Sequence, residues 1–227
     1  MEVSRVAVIG GTGDEGFGLA SRWAAAGIEV VIGSRDPGRA ESAATRLRAL
    51  VPGSSVQGLE NPAAAAASPV VVVAVPFSGL ASIYRSIAGH LGEGAVVIDA
   101  AVPVEAAVGG KPTRVLGVWE GSAAQLGRGL LPGHVKMCAA FHTLSASGLS
   151  DGATPLDGDV LGCGSAEGKE AVRILTEAIP NLGFVDAGPL ENARIIETIT
   201  ALLIGINHRY RTDRAGIRVT GLPGGRT

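Results

Sequence analysis

Several residue types are scarce in this chain, and each shortage narrows what the protein can be. Aromatic residues make up 4% of the 227 residues while hydrophobic residues make up 46%, so a core has to be built from Ala, Val, Leu and Ile. Residues of that kind suit strands buried on both faces of a parallel sheet, which favours α/β over an all-β sandwich. Cysteine occurs only at Cys138 and Cys163, each among apolar or small neighbours. Two isolated thiols cannot form a disulfide framework and have no metal-ligand spacing, so both read as small buried hydrophobes and no metal site is expected. No run approaches the roughly 20 apolar residues of a membrane span, and no apolar signal region precedes the first strand. A cytoplasmic protein without a membrane partner is therefore expected. An excess of one charge is also missing: 19 Lys and Arg stand against 21 Asp and Glu, a net −2. Nothing in that balance attracts nucleic acid, and the expected ligand is a small molecule.

What is present reads as alternating strands and helices. Val6–Ile9 is a short apolar run that ends in Gly10-Gly11-Thr12-Gly13, and an Ala-rich helical stretch carries on to Ala26. A strand at Val30–Ile32 follows, then a helix opened by Pro37 and running to about Leu50. Further strands are expected at Val56–Leu59, Val70–Val75, Ala95–Ile98 and Val135–Ala140, with a helix after Asn61-Pro62 and another near Leu80–Leu91. Asn61 looks like the N-cap of its helix. Gly109–Gly121 reads as loop and Ser122–Leu131 as helix. Beyond Phe141 come a strand around Leu161–Cys163, a helix over Ala166–Ile179, a strand at Phe184–Asp186 and a long apolar helix over Leu190–Tyr210. A tail after Gly221 is expected to fray. The alternation predicts a doubly wound parallel sheet.

Gly11-Thr12-Gly13-Asp14-Glu15-Gly16 is a G-x-G-x-x-G placed after a first strand and at the start of a first helix. In that position Gly11 would permit the tight turn, Gly13 would let backbone approach a pyrophosphate, and Gly16 would let helix and strand pack closely. An NAD-binding chain carries an acidic residue just after the second strand, to hold the ribose 2′-hydroxyl. Here Gly33-Ser34-Arg35 stands there, with Arg39 one helical turn later. A carboxylate would repel a 2′-phosphate, whereas Ser34, Arg35 and Arg39 would bind it, so NADP(H) is the expected dinucleotide. Asp36, between the two arginines, weighs against that reading.

Two further absences concern chemistry. A short-chain dehydrogenase needs a Tyr with a Lys four positions on, but Tyr84 is followed by Ala88 and Tyr210 by Arg214. Dehydrogenases and proline-type reductases with a large all-helical second half do not fit the short remainder after the last strand of the first half.

Gly10-Gly11-Thr12-Gly13 with Gly16 and Gly18, Gly33-Ser34-Arg35, Val75-Pro76, Val102-Pro103-Val104, Phe141-His142-Thr143, Asp186-Ala187-Gly188-Pro189-Leu190, and Arg194 through Glu197 to Thr200 occur in this order along nearly the whole chain. In that set of motifs the chain resembles the NADPH-dependent reductases of the deazaflavin coenzyme F420. The resemblance implies a Rossmann-type doubly wound parallel sheet with a small C-terminal α/β extension. It implies an NADP-binding domain over residues 1–140 and an extension over 141–227 that completes the deazaflavin site, the two forming one compact unit. It also implies direct hydride transfer between NADP(H) and coenzyme F420 as co-substrate, with the two rings held face to face and little acid–base chemistry from the protein.

By the same resemblance the cofactor contacts fall on Gly11, Thr12, Gly13, Asp14, Glu15, Gly16, Ser34, Arg35, Arg39, Val75, Pro76 and Val102. Leu144, Ala215 and Gly216 match positions around the deazaflavin, as do His142 and Thr200, which are the candidates for a part in catalysis. His142 would position the ring or donate a hydrogen bond to it; Thr200, inside an apolar helix, could instead bond its own preceding carbonyl. The chain departs from the archaeal pattern at Asp14-Glu15, where Asn-Leu is common, at Phe77 for a Trp and at Ala215 for a Leu. The helix over Leu190–Tyr210 is apolar on too many faces for a surface helix, which predicts a homodimer. Two other functions fit the same residues: an NADPH-dependent reductase of another small acceptor such as a flavin, imine or quinone, and a non-catalytic NADP(H) sensor.

Overall fold

A computed structural model describes residues 2–151 and 155–223, so the last four residues of the tail expected to fray lie outside it. Eight strands form one sheet in the order β3-β2-β1-β4-β5-β6-β7-β8. They are β1 (Arg5–Ile9), β2 (Glu29–Ser34), β3 (Val56–Glu60), β4 (Val70–Val73), β5 (Val96–Asp99), β6 (Lys136–Ala139), β7 (Gly158–Gly164) and β8 (Leu182–Asp186). The first six are parallel to one another. β4 reads Val-Val-Val-Val and is buried along its whole length, as a strand covered on both faces requires.

Helices cover both faces: α1 (Asp14–Ala25), α2 (Pro37–Leu50), α3 (Asn61–Ala66), α4 (Phe77–Ile87), α5 (Ala123–Leu130), α6 (Ala146–Ser150), α7 (Ala166–Glu177) and α8 (Ala193–Tyr210). On one face Trp23, Leu19, Leu47, Leu149 and Leu175 pack against the sheet; on the other Leu80, Tyr84, Ile87, Leu131 and Ile196 do. Pro37 occupies the first turn of α2, where its missing N–H costs nothing. The helix expected at Leu190 starts three residues later, preceded by a 3-10 turn over Leu190–Asn192.

The sheet is mixed where a parallel one was expected. β7 runs antiparallel to β6, and β8 is parallel to β7. Between β6 and β7, among the described residues, lies α6, which the sequence did not announce because five residues are too few to show a helical period. α6 sits tightly on α1: a Cβ at Gly18 would lie 2.6 Å from Leu149 Cβ. The Arg22 guanidinium, on α1, donates to the carbonyls of Gly148 at 2.8 Å and Leu149 at 3.1 Å. These bonds satisfy the C-terminal carbonyls of so short a helix.

Asn61 does not cap α3 as expected. The N-cap is Glu60, without a side-chain bond, and Asn61 is itself the first helical residue. Among the described residues no helix is long and apolar enough to cross a membrane.

Candidate active site

The strand order reverses between β1 and β4, and a crevice opens there at the carboxyl ends of the strands, as it does in doubly wound sheets generally. The glycine loop forms its floor. Gly10 carries the left-handed backbone, φ 87°, and a Cβ on it would lie 2.2 Å from the Ala74 carbonyl oxygen. The turn expected at Gly11 thus depends on Gly10, while Gly11 is glycine because its own Cβ would come within 2.9 Å of the Val8 oxygen. At Gly16 a Cβ would meet the Gly10 oxygen at 2.5 Å, so close packing of α1 on the loop requires glycine there. Gly13 differs, since a Cβ would find nothing nearer than 3.4 Å. Protein packing does not require glycine at Gly13, but a ligand resting on the first turn of α1 would. No side chain caps that helix, so its leading N–H groups are free to receive an anion.

A cavity of about 440 Å³ extends from this loop. Thr12 and Gly13 line it from the loop, Ser34 and Arg35 from the end of β2, Arg39 from α2, and Val75 and Pro76 from beyond β4. Arg35 and Arg39 are exposed, and among the described residues neither forms an ion pair. Asp36 lines the cavity too, but its carboxylate accepts from the N–H groups of Gly38 at 2.8 Å and Arg39 at 3.2 Å. It is the N-cap of α2, which removes the objection it raised. Asn61, 3% exposed, also lines this cavity, and its buried Oδ1 has no hydrogen-bond partner. An orphaned buried acceptor costs free energy.

A second cavity, of about 430 Å³, adjoins the first and shares Gly13, Ala74, Val75 and Pro76 with it. Asp14, Glu15, Gly16, Phe77, Val102 and Thr200 line the rest of its wall. A 3-10 turn over Glu105–Val108 contributes Ala106 and Ala107, within the segment after β5. The lining is mostly apolar and contains no Lys or Arg among the described residues, which fits flat aromatic rings and not a phosphate.

His142 lies behind this wall. It is 4% exposed and lines none of these cavities. Its ring donates to the Asp99 backbone carbonyl while Nε2 has no partner; burial holds the imidazole neutral, with its pKa down at about 3. Phe141, just before it, has φ 75°, a strained value for a bulky side chain. Packing holds it there, with the Phe141 ring edge-on to Trp23 at 5.5 Å. Thr200 does not bond its own helix. Its hydroxyl donates to the His142 carbonyl at 2.6 Å, tying α8 to the turn after β6.

Leu144, Ala215 and Gly216 line a third cavity of about 190 Å³, which shares no residue with the second. The five positions matched to the deazaflavin are therefore divided, with Thr200 on the main cleft, His142 behind it, and the other three on a smaller hollow.

Under the cleft lies a polar cluster that motif reading did not single out. Asp99, at the end of β5, is fully buried. Its Oδ1 accepts from the Ala101 N–H at 2.7 Å and its Oδ2 from the Tyr84 hydroxyl. Glu197, also fully buried, accepts from the N–H groups of Ala123 at 2.8 Å and Ala124 at 3.0 Å and so caps α5. Burial raises Asp99 to about 7 and Glu197 to about 8. Glu15 stands at about 8, raised by burial and then by the charge of Asp99.

Comparison with known proteins places this geometry. Residues 5–103 match the family model for coenzyme F420-dependent NADP oxidoreductases. The F420-dependent NADP reductase of Methanothermobacter thermautotrophicus is 44% identical over 97% of each chain. That of Methanocaldococcus jannaschii is 38% identical over 96% of this chain and 99% of its own. A solved structure from Arthrobacter sp. fb24 superposes with a TM-score of 0.79 at 23% identity, covering 97% of this chain and all of that one, a likeness of fold.

Proposed function

The chain belongs to the F420-dependent NADP reductases and transfers hydride between NADP(H) and F420, and on that premise we propose how its two adjoining cavities divide the work. Residues 1–140 form the NADP-binding unit, and the extension from 141 completes the cleft. The 2′-phosphate binds Ser34, Arg35 and Arg39, with Thr12 beside it on the loop. The pyrophosphate rests on Gly11, Gly13 and the first turn of α1. The nicotinamide passes over Val75 and Pro76 into the second cavity, where the deazaflavin lies against it between Val102 and Thr200, with Asp14, Glu15 and Gly16 as the near wall. The observation that carries this reading is the shared wall of Gly13, Val75 and Pro76, which makes one continuous path from the arginines to the apolar cleft.

When bound, NADPH supplies a hydride at C4 of its nicotinamide and the deazaflavin receives it at C5. The chain contributes alignment and exclusion of water. His142, neutral and buried, acts as a positioning residue through its backbone bond to Thr200. Leu144, Ala215 and Gly216 meet an edge or side chain of the deazaflavin, since their hollow is below the roughly 300–1,000 Å³ that drug-sized ligands fill. The protein is proposed to be cytoplasmic and a homodimer. NADPH deuterated at C4 is expected to deliver its label to C5 undiluted by solvent. Recovery of solvent hydrogen at C5, read by mass spectrometry or NMR, would rule out direct transfer.

A further inference from the structure

Reducing a deazaflavin with NADPH balances only with a second proton. NADPH loses a hydride, which is two electrons and one proton, and becomes NADP⁺. The acceptor gains that hydride on a ring carbon and must also take a proton on a ring nitrogen to leave as the neutral dihydro form. In the reverse direction that nitrogen returns its proton as the carbon gives up hydride. An apolar cleft that excludes water benefits from a group that can hold this proton.

Four carboxyl groups lie at the cleft end of the sheet; Asp14 is exposed to solvent, and bonding separates the other three. Both oxygens of Asp99 are filled by donors, from Ala101 and Tyr84. Both oxygens of Glu197 are filled as well, by Ala123 and Ala124, with Ser122 adding a side-chain bond. Oxygens held in this way by the protein's own donors are not available to a ligand in the cleft. Glu15 differs, since among the described residues its side chain has no hydrogen bond and no ion pair. It is half-buried in the first turn of α1 and lines the cleft with Val102 and Thr200. Asp14 on its own helix lines the same cavity and Asp99 from β5 acts on it through charge, while among the described residues no Lys or Arg lines the cavity to draw its proton away.

We infer that Glu15 is the proton donor to the acceptor ring when hydride moves onto it, and the proton acceptor when hydride moves back. The carboxyl gives its proton to the ring nitrogen, becomes a carboxylate, and regains a proton from water once the cleft opens. The position of Glu15 near neutrality, at about 8, suits a group that works in both directions. This assignment rests on the placement of the deazaflavin in this cavity. The family pattern it departs from carries Leu here, so the reaction does not require a carboxyl at this position and the loss expected on removing Glu15 is moderate.

Glu15→Gln keeps the shape and removes the proton. It is expected to slow deazaflavin reduction at pH 7 by roughly tenfold. In the parent enzyme the rate falls as pH rises through about 8, when Glu15 ionises; in the variant that fall disappears. Glu15→Asp should recover part of the rate and the falling limb. The infrared carboxylic-acid band of the ligand-free protein at pH 7 should lose the Glu15 contribution. Deuterium from C4 of NADPH should still arrive at C5 in Glu15→Gln, so a lost label would count against the hydride path and not against Glu15. An unchanged rate and pH profile overturns the inference. So does a rate loss equal at every pH together with weakened NADP⁺ binding, or an infrared band that Glu15→Gln leaves intact.

Discussion

Asp36 stands between the two arginines assigned to the 2′-phosphate, and its charge is directed at the amides of α2. A carboxylate that caps a helix is partly neutralised by the helix terminus, so it repels a nearby phosphate less than an unpaired one would. Arg35→Asp reverses the sign on the other side, where no cap absorbs the charge. It is expected to weaken NADPH binding by roughly 2 to 3 kcal/mol, about 30- to 150-fold, and to raise the relative use of NADH. Steady-state kinetics with both nucleotides checks this, and an unchanged NADPH to NADH ratio would remove the 2′-phosphate assignment. Asn61 carries a related lesson. Its position before Pro62 reads as a cap, yet the side chain is buried beside Gly33 with an unpartnered oxygen. Sequence supplies the residue type; only the fold around Gly33, whose Cβ would lie 3.0 Å from Asn61 Oδ1, shows where it points.

At the scale of elements, the glycine loop and α1 work as one device whose glycines have separate physical roles. Gly16→Ala drives a methyl to 2.5 Å from the Gly10 carbonyl oxygen, so the helix must shift off the loop. Gly13→Ala places its methyl no nearer than 3.4 Å to any protein atom. The expected outcomes therefore differ: Gly16→Ala lowers the melting temperature, while Gly13→Ala leaves it within a degree or two of the parent and weakens NADP⁺ binding by about tenfold or more, because the methyl occupies ligand space. Calorimetry beside a binding titration separates them. Equal loss of stability in both variants would mean that Gly13 is glycine for packing alone. α8 also has two roles. Its inner face brings Glu197 to cap α5 and Thr200 to the His142 carbonyl. Its outer face carries Ile195, Ile199, Leu202 and Ile206, spaced as one stripe, with Ile195 59% and Leu202 61% exposed.

For the molecule as a whole, that stripe motivates the dimer, with exposed Val108, Val115 and Trp119 as further apolar surface. Light scattering at micromolar concentration is expected to give twice the chain mass, and Leu202→Glu to give the single mass; a parent that is already monomeric ends the proposal. The buried titratable groups set a pH dependence for folding. His142 is lowered to about 3, so the neutral form it needs when folded is favoured above the unfolded value of 6.5, and stability falls as pH drops below that value. Asp99, raised to about 7, and Glu197, raised to about 8, act oppositely: their contribution is full below their ordinary values and is lost as pH rises through 7 to 8. His142 and the two acids pull in opposite directions between about pH 4.5 and 6.5, so the melting temperature is expected to fall as pH rises from about 6.5 to 8 and to level off above that, and Asp99→Asn to flatten that fall. A melting temperature constant from pH 6 to 9 in the parent would show that these acids do not titrate in the folded protein.

Local rules determined the first half of this protein. Strand, glycine turn, helix and the Ser34-Arg35-Arg39 set are short-range patterns, in which backbone sterics and charge act over a few residues, so the doubly wound sheet and its NADP preference could be read directly. The later arrangement depends on contacts between residues far apart in sequence. The seat of α6 on α1 depends on Arg22, 126 positions from the Gly148 carbonyl it binds, and the reversed direction of β7 on its pairing with β6. The seclusion of His142 follows from the strained turn at Phe141 packing on Trp23, and Thr200 finds its acceptor 58 residues away. Asp99, Tyr84, Glu197 and Glu15 carry no shared motif, because each is placed by a different element. Burial and the field of neighbouring charges, which shift their proton affinities, exist only once the sheet has brought those elements together.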